Sequence, residues 1–318
     1  MEGLRHVFIV NPTAGKSSCE KRVIQAVEAC FSKLNEPYEI ILTRAPMHAA
    51  QIARAQAQRG DPVRLYACGG DGTLSEVANG AAQYGNAQVA VFPIGTGNDY
   101  VKTFGKVEDF LNLAALVTGR VVSVDLIRIG DRFAVNLCSM GFDAEVAINL
   151  MRFKRLPLVT GGLAYNMSIL YCLLKKMHTT FEIVIDAEKR FSGEFLLCAV
   201  ANGQWYGGGY HAAPDARPCD GTLDLVIASA INRLGFIKMV NKYRTGRHES
   251  LKVLKHLTGK KFEISSPNDF AFNCDGECSY IKEAVFEIVP GAMNFIVPQS
   301  CFAKSGFDDT YKMLKQKA

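Results

Sequence analysis

The chain has 318 residues, of which 48% are hydrophobic and 21% charged, and its 36 basic and 31 acidic side chains leave a net charge of +5. That length suits two domains with sizeable cores, and the composition excludes disordered and fibrous classes. So small a positive balance implies no nucleic-acid partner but is compatible with phosphorylated ligands or an anionic membrane surface.

Over residues 1–122 two hydrophobic periods alternate. Apolar runs at His6–Val10, Tyr38–Leu42, Val63–Cys68 and Gln88–Phe92 predict strands, and Ser17–Leu34, His48–Arg59 and Leu74–Ala82 predict helices between them. Strand–helix alternation argues an α/β domain with a parallel sheet, whose ligands sit beyond the carboxyl ends of the strands. From 123 to 298 the pattern becomes mostly β, with short strands at Val121–Ile129, Arg132–Cys138, Thr180–Asp186, Glu194–Ala201, Thr222–Ser229, Lys260–Ser265 and Ala284–Val289. Gly130-Asp131 and Asp186-Ala187-Glu188-Lys189 read as hairpin loops. Helices are expected near Asp143–Met151, Leu163–Met177 and Leu234–Tyr243, and the whole suggests a β-sandwich domain. Residues 299–318 form a polar tail with a short helix at Asp309–Gln316, packing back on the first domain.

The apolar run Leu163–Leu174 holds Asn166 and Ser168 and falls short of the ~18–20 residues of a membrane span. It reads as a core helix with solvated ends, although the flanking Arg152, Lys154, Arg155, Lys175 and Lys176 also suit a membrane-surface helix. A second basic stretch, 233–261, sets nine cations against Glu249 and reads equally as a solvated face or as a surface toward anionic lipid. The ten cysteines lie singly in apolar runs, with no Cys-x-x-Cys, as free thiols in a reducing, cytoplasmic setting. The first residues run straight into a strand, so no signal peptide is expected.

The most informative stretch is Gly69-Gly70-Asp71-Gly72-Thr73, between a strand and a helix. Glycines admit a ligand close to the backbone and leave N–H groups for anions. A carboxylate in such a turn repels phosphate unless a cation intervenes, so Asp71 points to nucleotide phosphate with Mg²⁺. The plain alternative is an ordinary βα turn. Common loops fail: Val10 stands where a P-loop needs glycine before Gly15-Lys16-Ser17, and Tyr100 where the dinucleotide fingerprint needs one after Gly95-x-Gly97. Neither His-Glu-x-x-His nor Gly-x-Ser-x-Gly occurs.

Further motifs follow: Asn11-Pro12-x-Ala14-Gly15-Lys16, Gly95-Thr96-Gly97-Asn98-Asp99, Val124-Asp125-Leu126, Gly141-Phe142-Asp143-Ala144, Ala201-Asn202-Gly203, Ala213-Pro214-Asp215-Ala216, Asp220-Gly221-x-Leu223-Asp224 and Asn273-Cys274-Asp275-Gly276-Glu277. In this order they resemble the diacylglycerol kinase catalytic family, in its soluble bacterial lipid-kinase branch. The resemblance implies an N-terminal domain like those of NAD kinases and phosphofructokinases, a β-sandwich beside it, and transfer of the γ-phosphoryl of ATP to a lipid hydroxyl. It puts Gly69, Gly70, Asp71, Gly72, Thr73, Leu74 and Ser75 around the nucleotide phosphates, Thr43, Thr96 and Asn98 at the nucleotide, and Lys16 near phosphate. Asp71, Asp99 and Asp125 would form the catalytic Mg²⁺ network, and Glu277 would be the base. A structural Mg²⁺ would belong to Arg217, Asp220 and Thr222, partly through backbone carbonyls. The chain departs from the family pattern at Tyr100-Val101-Lys102 and at Cys219, where a soft thiol suits Mg²⁺ poorly.

Taken alone, Asp275-Gly276-Glu277 is a hairpin turn. The expected partner is a lipid alcohol such as diacylglycerol at the membrane surface, met by a cytoplasmic, peripherally associated protein; a homodimer is left open. Two alternatives stand: a soluble-substrate kinase of the NAD kinase type, opposed by Gly-Thr-x-Asn-Asp and Asp-Gly-Glu, and a non-catalytic lipid or nucleotide sensor, opposed by the presence of Asp71, Asp99 and Glu277.

Overall fold

The computed structural model describes residues 3–15, 19–34, 36–156, 159 and 161–302. The chain divides into two compact units. One comprises Met1–Leu126, Arg217–Gly221 and Val289–Ala318; the other comprises Ile127–Ala216 and Thr222–Ile288. Two later segments thus return to the first unit, a connection that hydrophobic periodicity does not record. The helix expected at Asp309–Gln316, like Lys16, lies outside the described residues.

The first unit is built on β1 (Arg5–Val10), α1 (Cys19–Leu34), β2 (Tyr38–Leu42), α2 (His48–Ala57), β3 (Val63–Gly69), α3 (Asp71–Ala81) and β4 (Ala87–Pro93). The strands lie parallel in the order β2-β1-β3-β4, with Asn294–Phe295 added beside Gln88–Val89 of β4. Every residue of β3 is buried, as expected of a central strand covered on both faces. Helix α1 turns Cys19, Val23, Val27 and Phe31 inward at four-residue spacing. Helix α2 presents a row of alanines, and α3 meets it at Gly80, where a Cβ would stand 2.2 Å from the Ala50 carbonyl oxygen.

The second unit is antiparallel. Its strands Leu254–Gly259, Leu223–Ser229, Lys189–Ala201, Leu137–Gly141 and Lys261–Cys274 are neighbours in that order, and Lys261–Cys274 pairs onward with the strand that begins at Glu277. Strand Thr179–Ile185 pairs with both Lys189–Ala201 and Lys261–Cys274. The two long strands therefore each pair with three others, and Phe181, Phe262, Phe272 and Phe286 fill the sandwich core. A second core joins this sheet to helices Phe142–Phe153, Gly161–Leu174 and Arg233–Arg244.

Several predicted elements change their bounds. The expected strand Arg132–Cys138 is two strands, Arg132–Ala134 and Leu137–Gly141, because the Asp275 carboxylate takes the backbone N–H groups of Val135, Asn136 and Leu137 at the break. The strand from Lys261 runs on to Cys274, past a register shift between Ser265 and Phe270 that accommodates Pro267. Part of the basic stretch is the edge strand Leu254–Gly259, which the charge pattern hid. The hairpin at Gly130-Asp131 closes Ile129 on Arg132 as expected. All ten cysteines are free thiols. No helix among the described residues is long and apolar enough to cross a membrane.

Candidate active site

Two loops of the first unit meet backbone to backbone. Gly95 N–H donates to the Gly69 carbonyl at 3.0 Å. A Cβ on Gly95 would lie 2.4 Å from Gly70 Cα, and one on Gly69 would lie 2.1 Å from Thr73 Oγ1, so side chains are excluded at both positions. Helix α3 begins at Asp71 with no side-chain cap, and the space beside Gly72 is open. An uncapped helix start of this kind attracts anions through its N–H groups and dipole.

The Asp71 carboxylate binds the next loop. It accepts the N–H of Asp99 at 2.8 and 2.9 Å and that of Tyr100 at 3.1 Å. Asp99 in turn pairs with Lys102 at 2.5 Å. A Cβ on Gly97 would approach Asp71 Oδ2 to 2.9 Å and Asp99 Oδ2 to 3.9 Å, so both carboxylates turn an oxygen toward one bare backbone position. Asn98 adopts a left-handed φ of 48° and donates to the carbonyls of Pro93 and Gly95, while its buried Oδ1 has no partner. Thr96 is exposed; Ser75 and Leu74 are buried, and the Leu74 N–H is already bonded to Gly70. Leu74 thus supports the loop from the core.

A cavity of about 330 Å³ opens beside Thr43 and Thr73. Asn11 Nδ2 reaches Thr73 Oγ1 at 3.3 Å, and Thr43 N–H bonds the Val10 carbonyl. Arg44 and Glu76 also line it, and Glu76 accepts the Ala49 N–H at the start of α2. These two were not singled out from sequence, because nothing in their local pattern distinguishes them from surface charges.

Asp125 has a different setting. Its Oδ1 accepts from Gly291 N–H and its Oδ2 from Gly221 N–H, each at 2.8 Å, and its own N–H bonds the Pro218 carbonyl. Burial pushes this carboxyl up from its ordinary value, opposed by the two N–H donors and reinforced by the Asp220 charge. It stitches the Arg217–Gly221 segment and the 289–297 strand into the first unit. Arg217 and Asp220 are exposed on that segment, and Thr222 follows it. Burial pushes the adjacent Cys219 thiol up to about 12, so it stays a neutral thiol at physiological pH.

In the second unit Glu277 opens a strand immediately after a two-residue turn, with Cys274 opposite it. Asp275 and Gly276 have φ values of 48° and 99°, the geometry for which Asp-Gly is suited. The hairpin predicted from sequence is therefore present, and it carries the carboxylate. Asn273 Oδ1 accepts the Gly276 N–H, the three N–H bonds of Asp275 anchor the turn, and Glu277 pairs with Arg132 at 2.7 Å.

Residues 5–129 match the family described as the diacylglycerol kinase catalytic domain, and residues 136–297 match the YegS C-terminal NAD kinase beta sandwich-like domain. A relative in Pseudomonas aeruginosa, named "Probable lipid kinase YegS-like", is 31% identical over 74% of this chain and 76% of its own. The chain belongs to the diacylglycerol kinase and YegS-like lipid kinase family. The "Diacylglycerol kinase" of Bacillus subtilis is 28% identical over 85% of this chain and 88% of its own. A crystal structure of a diacylglycerol kinase from Bacillus anthracis shares the fold, with a TM-score of 0.68 over 93% of this chain and 98% of its own at 20% identity.

For a kinase of this family the donor chemistry can be tested against a divalent cation. Among the described residues no three His, Cys, Asp or Glu side chains form a metal-binding group. Mg²⁺ usually takes one or two carboxylates and completes its shell with water and substrate phosphates. The oxygens of Asp71 and Asp99 at Gly97 fit that mode. Asp125, like Asp71, has both oxygens on backbone N–H groups, but it lies at Gly221 and Gly291 rather than at the Gly97 position.

Proposed function

We propose that this protein transfers the γ-phosphoryl group of ATP, with Mg²⁺, to the hydroxyl of diacylglycerol or a related lipid alcohol. The observation that carries the reading is the open, uncapped start of α3 at Gly70–Gly72, with two carboxylate oxygens turned to the bare backbone of Gly97. Phosphates belong at the helix start, and the cavity at Thr43 and Thr73 suits the rest of the nucleotide. Held by Asp71 and Asp99, Mg²⁺ would neutralise charge on the transferring group. Glu277 would orient the lipid hydroxyl and take its proton as the new O–P bond forms and the bond to the departing ADP oxygen breaks. Asp220 and the backbone around Arg217 and Thr222 are assigned to a structural cation, and Lys16 to phosphate.

The same reading places the protein on an anionic membrane surface. Leu170 and Leu174 of one helix and Leu234 and Ile237 of another are 60, 72, 70 and 61% exposed. Arg233 ties the two helices by donating to the Leu173 carbonyl at 2.6 Å, and Lys175, Lys176 and Lys238 are close to these apolar residues in sequence. Exposed apolar side chains on helices that also carry cations suit a lipid surface. The inward-facing Ala164, Ser168 and Cys172 fulfil the core-helix expectation on one side only.

The test is transfer of label from γ-³²P-ATP to lipids in mixed micelles, with NAD as soluble control. The expected result is an organic-phase product, lost by at least about a thousandfold in Asp71→Asn and Glu277→Ala. Label only in NAD supports a soluble-substrate kinase. Binding of ATP and vesicles without transfer supports a sensor.

A further inference from the structure

A cavity of about 170 Å³ lies wholly within the second unit, between helices Phe142–Phe153, Gly161–Leu174 and Arg233–Arg244. Val146, Leu150, Phe236 and Met239 give it apolar walls. At one side stand Asp143 and Tyr206, joined by a 2.8 Å hydrogen bond from the tyrosine hydroxyl. Tyr206 continues to Tyr243 at 3.3 Å, and Tyr165 donates to Tyr210 at 2.7 Å. An apolar space with one carboxylate and a short chain of hydroxyls has the make-up of a site for an amphipathic ligand.

Three observations bear on what that ligand is. First, Asn273 lines the cavity and also accepts the Gly276 N–H, so the hairpin that carries Glu277 forms part of the wall. Second, the space slightly exceeds the ~150 Å³ of an engineered cavity that holds one benzene and falls short of the ~300 Å³ at which ordinary ligand pockets begin. It has room for a segment of one hydrocarbon chain. Third, an ionised carboxylate has about four lone-pair sites. Asp143 Oδ2 receives Tyr206, Ser139 and the N–H groups at the helix start also act on the carboxylate, and its buried Oδ1 makes no hydrogen bond of good geometry. Such a group is costly to leave unsatisfied beside an apolar wall, and a ligand hydroxyl would relieve it. Burial pushes this carboxyl up to about 6, so at neutral pH it remains mostly an acceptor.

Resting on the lipid-kinase reading, we propose that this cavity binds the chain of the lipid acceptor, one chain at a time, and that the Asp143–Tyr206 pair receives a second hydroxyl near the head of that chain. The preferred acceptor is then a single-chain lipid polyol of the monoacylglycerol class. Diacylglycerol offers one hydroxyl, which the reaction consumes; its esters bring only acceptors to a carboxylate. Asp143 is a positioning residue in this scheme, and Glu277 remains the group at the reacting hydroxyl.

The test needs no turnover. A monoacylglycerol carrying a diazirine on its acyl chain is photolysed with the full-length protein, and the labelled peptides are mapped. Label is expected on helices 142–153 and 233–244. It should fall at least tenfold in Ala147→Phe, which fills the cavity, and be competed at least tenfold better by monoacylglycerol than by diacylglycerol of the same chain. That preference should vanish in Asp143→Ala. Val240→Phe repeats the block from the opposite helix should Ala147→Phe fail to fold. Label confined to other elements, label unchanged in both blocked variants, or equal competition by the two lipids would each overturn the proposal. Because the readout is independent of ATP, specific labelling without phosphoryl transfer would fail the kinase reading and leave the cavity assignment standing.

Discussion

The two regions assigned to nucleotide and acceptor are built from different materials. Around α3 the working surface is backbone: Gly69, Gly70 and Gly95 touch through main-chain atoms, and Asp71 reaches the next loop by receiving N–H groups. Around the Phe142–Phe153 helix the surface is side-chain shape, made by apolar residues from three helices. A backbone surface tolerates almost no substitution, since a single Cβ collides with main chain that cannot rotate aside. A side-chain surface can be rebuilt from many combinations of similar volume. The first kind leaves a mark in the sequence and the second leaves very little.

The sharpest way to break this comparison is to add one methyl group at two glycines of the first region. Gly95→Ala puts a Cβ 2.4 Å from Gly70 Cα and 2.7 Å from its nitrogen, so one loop must move. We expect transfer to fall about 100-fold or more, with a loss of about 1–3 kcal/mol of stability from overpacking. Gly72→Ala meets nothing within 4 Å. It should lose comparable activity through obstruction of bound phosphate, while stability is unchanged or improved by up to about 1 kcal/mol from helix propensity. Thermal melting and the KM for ATP, measured on both variants, separate the two causes. Equal destabilisation would mean that Gly72 is as crowded as Gly95.

This contrast also explains how much could be read before folding. The parallel sheet, the glycine loops and the Asp-Gly hairpin were legible because each depends on residue identity or a simple period. The break at Val135–Asn136 was not, because its cause is Asp275, about 140 positions away. The return of Arg217–Gly221 to the first unit was hidden for the same reason, since it rests on Asp125 receiving Gly221. The family resemblance groups Asp125 with Asp71 and Asp99, and the structure adds that it braces the loop at Gly221. Asp143 stood in plain view within Gly141-Phe142-Asp143-Ala144, yet its burial against Tyr206 needed three helices and a sheet to be in place.

A smaller effect is expected at the hairpin that carries Glu277. Asp275→Ala removes the acceptor for three N–H groups and frees the turn that presents Glu277. The cost should be about 2–4 kcal/mol, given about 1–3 kcal/mol for each buried donor left unsatisfied and partial access of water here. Activity should drop roughly 10- to 100-fold in kcat through misplacement of Glu277, with the KM for ATP unchanged. A parallel loss in ATP affinity would show that the turn serves the nucleotide region as well.

The smallest expected effect concerns the carboxylate of the second region and has a definite sign. Burial raises Asp143 from the ordinary 3.8 to about 6, with Tyr206, Ser139 and the N–H groups at the helix start opposing the rise. Burial and the Asp143 charge together push up Tyr206 and Cys278, so the groups facing Asp143 stay neutral over this range. Below pH ~3.8 the carboxyl is protonated in both folded and unfolded chains, and its burial costs nothing in charge. Between about 4 and 6 the folded state holds the proton longer, so stability declines as pH rises through that window. Above 6 the full penalty is present, at most about 3 kcal/mol at 1.36 kcal/mol per pH unit. Asp143→Asn cannot ionise and escapes this penalty. It should therefore melt higher than the parent at pH 8 by several degrees and no higher at pH 4, while losing its preference for monoacylglycerol. Denaturant titrations of both proteins across pH 4–8 give the difference directly. A gap that does not widen with pH would place Asp143 in contact with solvent charge rather than in the wall of a lipid site.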